Sequence, residues 1–330
     1  MTSAPLELGR AGFGAAPIGN LYREVSDEQA AAALQAAWDS GIRYFDTAPH
    51  YGLGLSEKRL GRFLRDRPRG EYVVSTKVGR LLEPNPAHEG GRDIAHGFDV
   101  PDSLVRRFDP SADGIRRSLE ESLMRMGLDR IDILYLHDPD AYDLERGLRE
   151  GLPALERLRA EGLVTEIGIG VNDAEVAARA VREADLDLVM IAGRYTLLDH
   201  AAAEQLFPAC RATGTRVVAA APFNSGLLAT PRPRADATFD YATVAPEVLA
   251  RAEALAELCE RHGVELPTAA LQFPLLDKIV ATVVVGTARP DAVRQNAQRM
   301  SAPIPDALWA ELAATGWIPT AEDAAGKQGV

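Results

Sequence analysis

Cysteine is scarce in this chain, whose 330 residues include 2, Cys210 and Cys259. So isolated a pair offers no disulfide framework and no close-spaced ligand set for zinc, and both read as small buried hydrophobes. Long apolar runs are missing too, since nowhere do the roughly 18 consecutive apolar residues of a membrane-crossing helix occur. The opening residues Met1 to Arg10 carry no apolar stretch of the signal-peptide kind, so a cytoplasmic location without a membrane partner is expected. Positive charge is in deficit: 36 basic against 48 acidic residues give a net charge of −12, which disfavours attraction to nucleic acid. The six histidines, His50, His88, His96, His137, His200 and His262, show no ligand spacing, and no metal is expected. Also absent is the Gly-x-Gly-x-x-Gly turn of a doubly wound nucleotide-binding sheet. Gly12-Phe13-Gly14 and Gly168-Ile169-Gly170 lack the third glycine and read as tight turns.

What is present describes a globular chain with a large core, 46% hydrophobic and 25% charged. Short β-branched runs alternate with Ala-, Leu-, Glu- and Arg-rich stretches, which implies strands crossing to helices and back. Eight candidate strands lie near 12–18, 42–46, 72–77, 131–137, 164–170, 187–192, 215–221 and 279–285. Several are continuously apolar, as parallel strands covered on both faces should be. Ser26-Asp27-Glu28-Gln29 reads as a capping box, and Ser111 precedes an amphipathic run whose apolar face is Ile115, Leu119, Leu123 and Met126. Eight βα units predict a single (β/α)8 TIM barrel over 1–330, with 317–330 a loose tail in which Trp317 and Ile318 could fold back over the mouth. Two stretches, 80–107 after the third strand and 222–244 after the seventh, are too long for plain connectors and are expected to be lids at the C-terminal rim.

Asp46, Tyr51, Lys77 and His137 sit at or just after the ends of candidate strands two, three and four. Each alone has an ordinary structural explanation, but an ionisable group at the end of an apolar strand is costly unless paired. Together they suggest one mechanism. A phenol has a pKa near 10, so proton transfer near neutrality needs a neighbour that stabilises phenolate. Lys77 would lower the Tyr51 pKa, Asp46 would hold the ammonium, and His137 would bond the substrate oxygen or relay the proton. A hydride would require a cofactor, because no side chain delivers one.

At these residues the chain resembles the aldo-keto reductase family. The likeness lies in Gly41-Ile42-Arg43-Tyr44-Phe45-Asp46-Thr47-Ala48-Pro49-His50-Tyr51-Gly52, in Ser75-Thr76-Lys77, and in the segment from Ser118 to His137, and it extends over nearly the whole chain. The resemblance implies an enzyme, an NAD(P)-dependent oxidoreductase acting on CH–OH and carbonyl groups, with Asp46, Tyr51, Lys77 and His137 as catalytic residues. It also implies cofactor contacts at Asn172, Tyr195, Phe223, Asn224, Gly226, Leu227, Gly286, Thr287, Arg289, Gln295 and Asn296. The family's nicotinamide-stacking aromatic is replaced by Ala220, so Tyr195 or Phe223 would have to compensate. The lysine and arginine that grip a 2′-phosphate align with Gly286 and Ala292, which favours NAD over NADP, with Arg289 a substitute anchor.

Leu136-His137-Asp138-Pro139-Asp140 and Ala192-Gly193-Arg194-Tyr195 look most like the branch of L-fucose and D-threo-aldose dehydrogenases and of pyridoxal 4-dehydrogenases. The expected partner is therefore a small sugar or aldehyde, with Arg92, Asp93, His96 and Asp138 available to read its hydroxyls. The alternatives are a general aldehyde or ketone reductase and, from another class, a cofactor-binding regulatory subunit.

Overall fold

The computed structural model describes residues 4–240 and 242–319, so most of the expected tail lies outside the described residues. Eight parallel strands close into a barrel: β1 Ala11–Gly14, β2 Tyr44–Asp46, β3 Val73–Val78, β4 Ile133–His137, β5 Glu166–Val171, β6 Leu188–Ala192, β7 Arg216–Ala220 and β8 Val280–Val285. Each pairs with its sequence neighbours, and β1 closes the ring against β8 through Ala11 beside Val283. The architecture is the expected TIM barrel. The first strand is shorter than expected, because Pro17 turns the chain into a 3-10 segment over Ala16–Gly19.

Helices cover the outside of the ring, and their apolar faces meet the outward residues of the strands in one continuous core that includes Cys210 and Cys259. Helix Asp27–Asp39 starts at Ser26, whose hydroxyl accepts from Gln29 N at 3.1 Å. The capping box is not reciprocal, since the Gln29 amide donates instead to Ala288 O at 3.0 Å. Helix Ala112–Met126 is capped by Ser111 and ends at the left-handed Gly127. It packs so closely on helix Leu55–Leu64 that a Cβ on Gly61 would lie 2.1 Å from Met126 O. Glu57, fully buried in that contact, accepts from Thr76 Oγ1 at 2.9 Å and from Arg125 Nε at 2.5 Å. Trp317 lies over the Arg251 guanidinium and Ile318 joins the outer core.

Inside the barrel a separate cluster includes Tyr44, Ile133, Tyr135, Leu188, Met190 and Val218. Strand alternation puts Tyr44 and Asp46, Ser75 and Lys77, and Tyr135 and His137 on the same inward face, the second of each pair nearer the C-terminal rim. The glycine pairs are not turns but strand residues that vacate this interior. A Cβ on Gly12 would meet the Tyr44 ring at 2.6 Å, and one on Gly168 would meet the Tyr135 ring at 2.9 Å.

Both long connections carry structure of their own. Arg80–Pro84 pairs antiparallel with Leu104–Phe108, and Thr238–Phe239 with Ala242–Thr243. The first ladder carries a small core of Leu82, Phe98 and Val100 that packs on Leu53 and Tyr51, so this connection leans over the rim where Tyr51 lies.

Candidate active site

The inward alternation delivers the polar side chains to one point. Lys77 Nζ donates to Asp46 Oδ2 at 2.6 Å and to Thr47 O at 3.0 Å, and it stands 4.7 Å from the centre of the Tyr51 ring. Asp46 is oriented from below, because its Oδ1 accepts from Ser75 Oγ at 2.8 Å and Ser75 lies 3.0 Å from the Tyr44 hydroxyl, itself 3.2 Å from that of Tyr135. The His137 ring stands perpendicular to Tyr51 with centroids 5.9 Å apart. Asp46, Tyr51, Lys77 and His137 thus share one pocket although they come from three strands and a loop.

Charge and burial set the state of each group. Burial alone would lower the Lys77 pKa, but the attraction of Asp46 and Tyr51 outweighs it and keeps the ammonium charged. Tyr51 departs from expectation: burial pushes its pKa up to about 12, and the opposing pull of Lys77 does not recover the loss. The phenol therefore keeps its proton at neutral pH. His137 falls well below the usual histidine range, first through burial and then through the Arg80 and Lys77 charges, so its imidazole is neutral.

Several neighbours had no role assigned from sequence. His50 stands 6.1 Å from Tyr51 and 5.6 Å from His137, ring to ring, and the Phe98 ring closes the pocket 5.2 Å from His50. Arg80 donates to Asp138 at 2.6 Å, and Arg106 grips Asp93 with bonds of 2.9 and 2.5 Å. The Asp-Thr-Ala-Pro-His-Tyr-Gly run contained His50, but only the folded turn shows its ring beside Tyr51. The two arginines find their partners only through the fold, Arg80 across to the rim of β4 and Arg106 within the irregular 80–107 connection. Of the expected sugar readers, Asp93 is buried and committed to Arg106 and His96, and Arg92 is committed to Asp99.

The expected cofactor residues divide into those brought together and those not. Asn172, Asn224 and Ser225 line a narrow crevice with Gly193, Arg194 and Ala221, bridged by an Arg194–Asp240 ion pair at 2.8 Å. Asn224 and Ser225 are left-handed and precede Gly226 at φ 104°, a concave turn of the kind that receives phosphate oxygens. Asn224 is almost wholly buried, yet its Oδ1 has no hydrogen-bond partner among the described residues, which leaves an unsatisfied acceptor on a residue that lines the crevice. These residues fit a dinucleotide. Phe223 borders the same turn, half-buried. At the far side Gly286, Thr287 and Arg289 connect β8 to helix Pro290–Ser301, which carries Gln295 exposed and Asn296 buried.

Two residues do not serve as expected. The Tyr195 ring is packed between Phe207 at 4.6 Å and Phe273 at 4.9 Å in the outer core, which leaves no free face for a nicotinamide. The Leu227 side chain is buried in the same core, so only its backbone could reach a ligand. Among the described residues no cluster of His, Cys, Asp and Glu could hold a metal ion, and no helix is long and apolar enough to cross a membrane.

The sequence profile of the aldo/keto reductase family matches residues 10–316. The chain is 54% identical to D-threo-aldose 1-dehydrogenase of a Pseudomonas species over 319 residues, covering 96% of this chain and 97% of that protein. It is 40% identical to pyridoxal 4-dehydrogenase of Microbacterium luteolum, covering 93% and 94% of the two chains. Among solved structures, the Gluconobacter oxydans glycerol dehydrogenase superposes with a TM-score of 0.72 at 23% identity, covering 95% and 94%, which speaks to the fold alone. The holo form of an aldo-keto reductase from Bacillus halodurans gives 0.69 at 27% identity, covering 90% and 88%.

Proposed function

Because the chain belongs to the aldo/keto reductase family, oxidoreductases that use NAD(P)H, we propose that it is an NAD-linked dehydrogenase of aldose hemiacetals in which Tyr51 moves the proton. The observation that carries this reading is the buried Lys77–Asp46 pair under the Tyr51 ring with a neutral His137 alongside. The identity to an aldose 1-dehydrogenase supports the sugar. Bound nicotinamide would supply the acceptor for the hydride leaving C1, with Asn172, Asn224 and Ser225 as the residues that would hold the dinucleotide.

In oxidation Tyr51 takes the proton of the C1 hydroxyl, and the product is the lactone. Lys77 stabilises the phenolate that makes this possible, and Asp46 with Ser75 fixes the direction of the ammonium. His137 donates to the C1 oxygen. In reduction the same phenol, protonated at neutral pH, returns its proton.

The preference for NAD rests on the loop after β8. A side chain at Gly286 would meet the Gly14 carbonyl oxygen at 2.6 Å and the Pro17 ring at 2.9 Å, so a phosphate-gripping lysine has no room there. The test is initial-rate kinetics with L-fucose, pyridoxal and simple aldehydes, in both directions, with each cofactor. Aldose oxidation with NAD leading by tenfold or more is expected. Pyridoxal leading would favour the second reading, which the 40% relative supports. Cofactor binding without turnover of any substrate would point to a regulatory subunit.

A further inference from the structure

His50 is held with more care than a turn residue requires. Its backbone carbonyl accepts from Arg106 Nη2 at 2.9 Å, and that guanidinium is fixed in turn by both oxygens of Asp93. The ring is enclosed by Phe98, His96 and His137, each perpendicular to it at 5.2 to 6.2 Å. Its Nδ1 is sealed from solvent with no partner among the described residues, and the same holds for His137 Nδ1. Burial and the nearby Arg80 and Arg106 charges keep His50 neutral.

A neutral imidazole carries one N–H and must place it. On a sealed, partnerless Nδ1 it would be a buried unsatisfied donor, which is rarer and costlier than a bare lone pair. Both rings therefore carry the hydrogen on Nε2. Two Nε2–H donors then stand on rings packed around Tyr51, that of His137 within 3.4 Å of Asp138 Oδ2 and that of His50 with no carboxylate against it among the described residues, whereas the reacting oxygen needs only one of them from a histidine. The second donor has no role in proton transfer and is matched by a second oxygen close to the first.

We infer that His50 is a specificity-determining residue whose Nε2–H hydrogen-bonds an oxygen on the carbon adjacent to the reacting carbon. The site would then select α-oxygenated carbonyls, and the aldose hemiacetals related to them, over simple aldehydes. This rests on the dehydrogenase reading of the Tyr51 pocket but does not require the substrate to be a sugar.

The experiment compares NADH-dependent reduction of lactaldehyde and of propanal, which differ by the α-hydroxyl alone, in the wild type, His50→Leu and His50→Gln. Loss of one hydrogen bond in a buried site predicts a wild-type preference for lactaldehyde of ~10- to 100-fold in kcat/KM. His50→Leu collapses that ratio, chiefly through KM for lactaldehyde, and His50→Gln, which retains a donor amide, restores part of it. Thermal melting and NADH fluorescence titration establish that both variants fold and bind. A wild type that does not distinguish the two aldehydes, or a His50→Leu variant that still does, overturns the assignment. If aldoses are not oxidised but the ratio collapses in His50→Leu, the sugar reading fails and the role of His50 stands.

Discussion

Replacing Lys77 with methionine removes the ammonium while keeping most of the stem, and its effect can be worked from the geometry. The charge stands 4.7 Å from the centre of the Tyr51 ring. With an effective dielectric constant of about 20, two unit charges about 5 Å apart interact by about 3 kcal/mol, so phenolate loses about that much stabilisation. Since 1.36 kcal/mol is a factor of ten, kcat/KM for oxidation should fall by roughly a hundredfold at any fixed pH. The wild type already holds Tyr51 at about 12, so its kcat/KM for oxidation should rise with pH across the neutral and alkaline range. Lys77→Met should keep the rising slope at a lower level, because the same phenol titrates further up. The assay is the pH profile of initial oxidation rates with saturating NAD for both proteins. Asp46 loses its partner at 2.6 Å but keeps Ser75, so melting temperature is measured alongside to separate a folding loss from a chemical one. A folded variant within threefold of wild type at every pH would refute the idea that the ammonium's field acts on the phenol.

Tyr51→Phe should reduce turnover by three or more orders of magnitude while dinucleotide affinity, read by NADH fluorescence, changes less than threefold; lost binding with retained chemistry would contradict its role. Glu57→Ala removes the buried carboxylate that holds both Thr76 and Arg125 and leaves the half-buried Arg125 only Ser122 at 3.0 Å and Glu121 at 3.8 Å, so stability should fall by about 1.5–3 kcal/mol in urea titration, and a loss below about 1 kcal/mol would show that the pair is not a tie between the two helices. Half-buried His50 and buried His137 have pKa values below the unfolded 6.5, so the unfolded chain binds more protons and stability is lost as pH falls through 6.5. The two together steepen acid unfolding by up to about 2.7 kcal/mol per pH unit, and His50→Leu should remove about half of that slope between pH 6.5 and 5.

The sequence by itself determined the barrel and the rim on which the pocket stands. Eight β-branched runs separated by amphipathic stretches, without the Gly-x-Gly-x-x-Gly turn of an open doubly wound sheet, point to a ring of parallel strands inside helices, and a period of two puts Asp46, Lys77 and His137 on its inner surface. Local chemistry of this kind is written residue by residue along the chain. Tertiary structure decided everything that depends on who meets whom across long loops. It committed Tyr195 to an aromatic core, closed Gly286 to any side chain, turned Asp93 from a surface reader into the anchor of Arg106, and set His50 beside His137. It also reversed the expected shift of Tyr51, since desolvation accumulates from every neighbour whatever its place in the chain, whereas a single lysine acts only through its own distance.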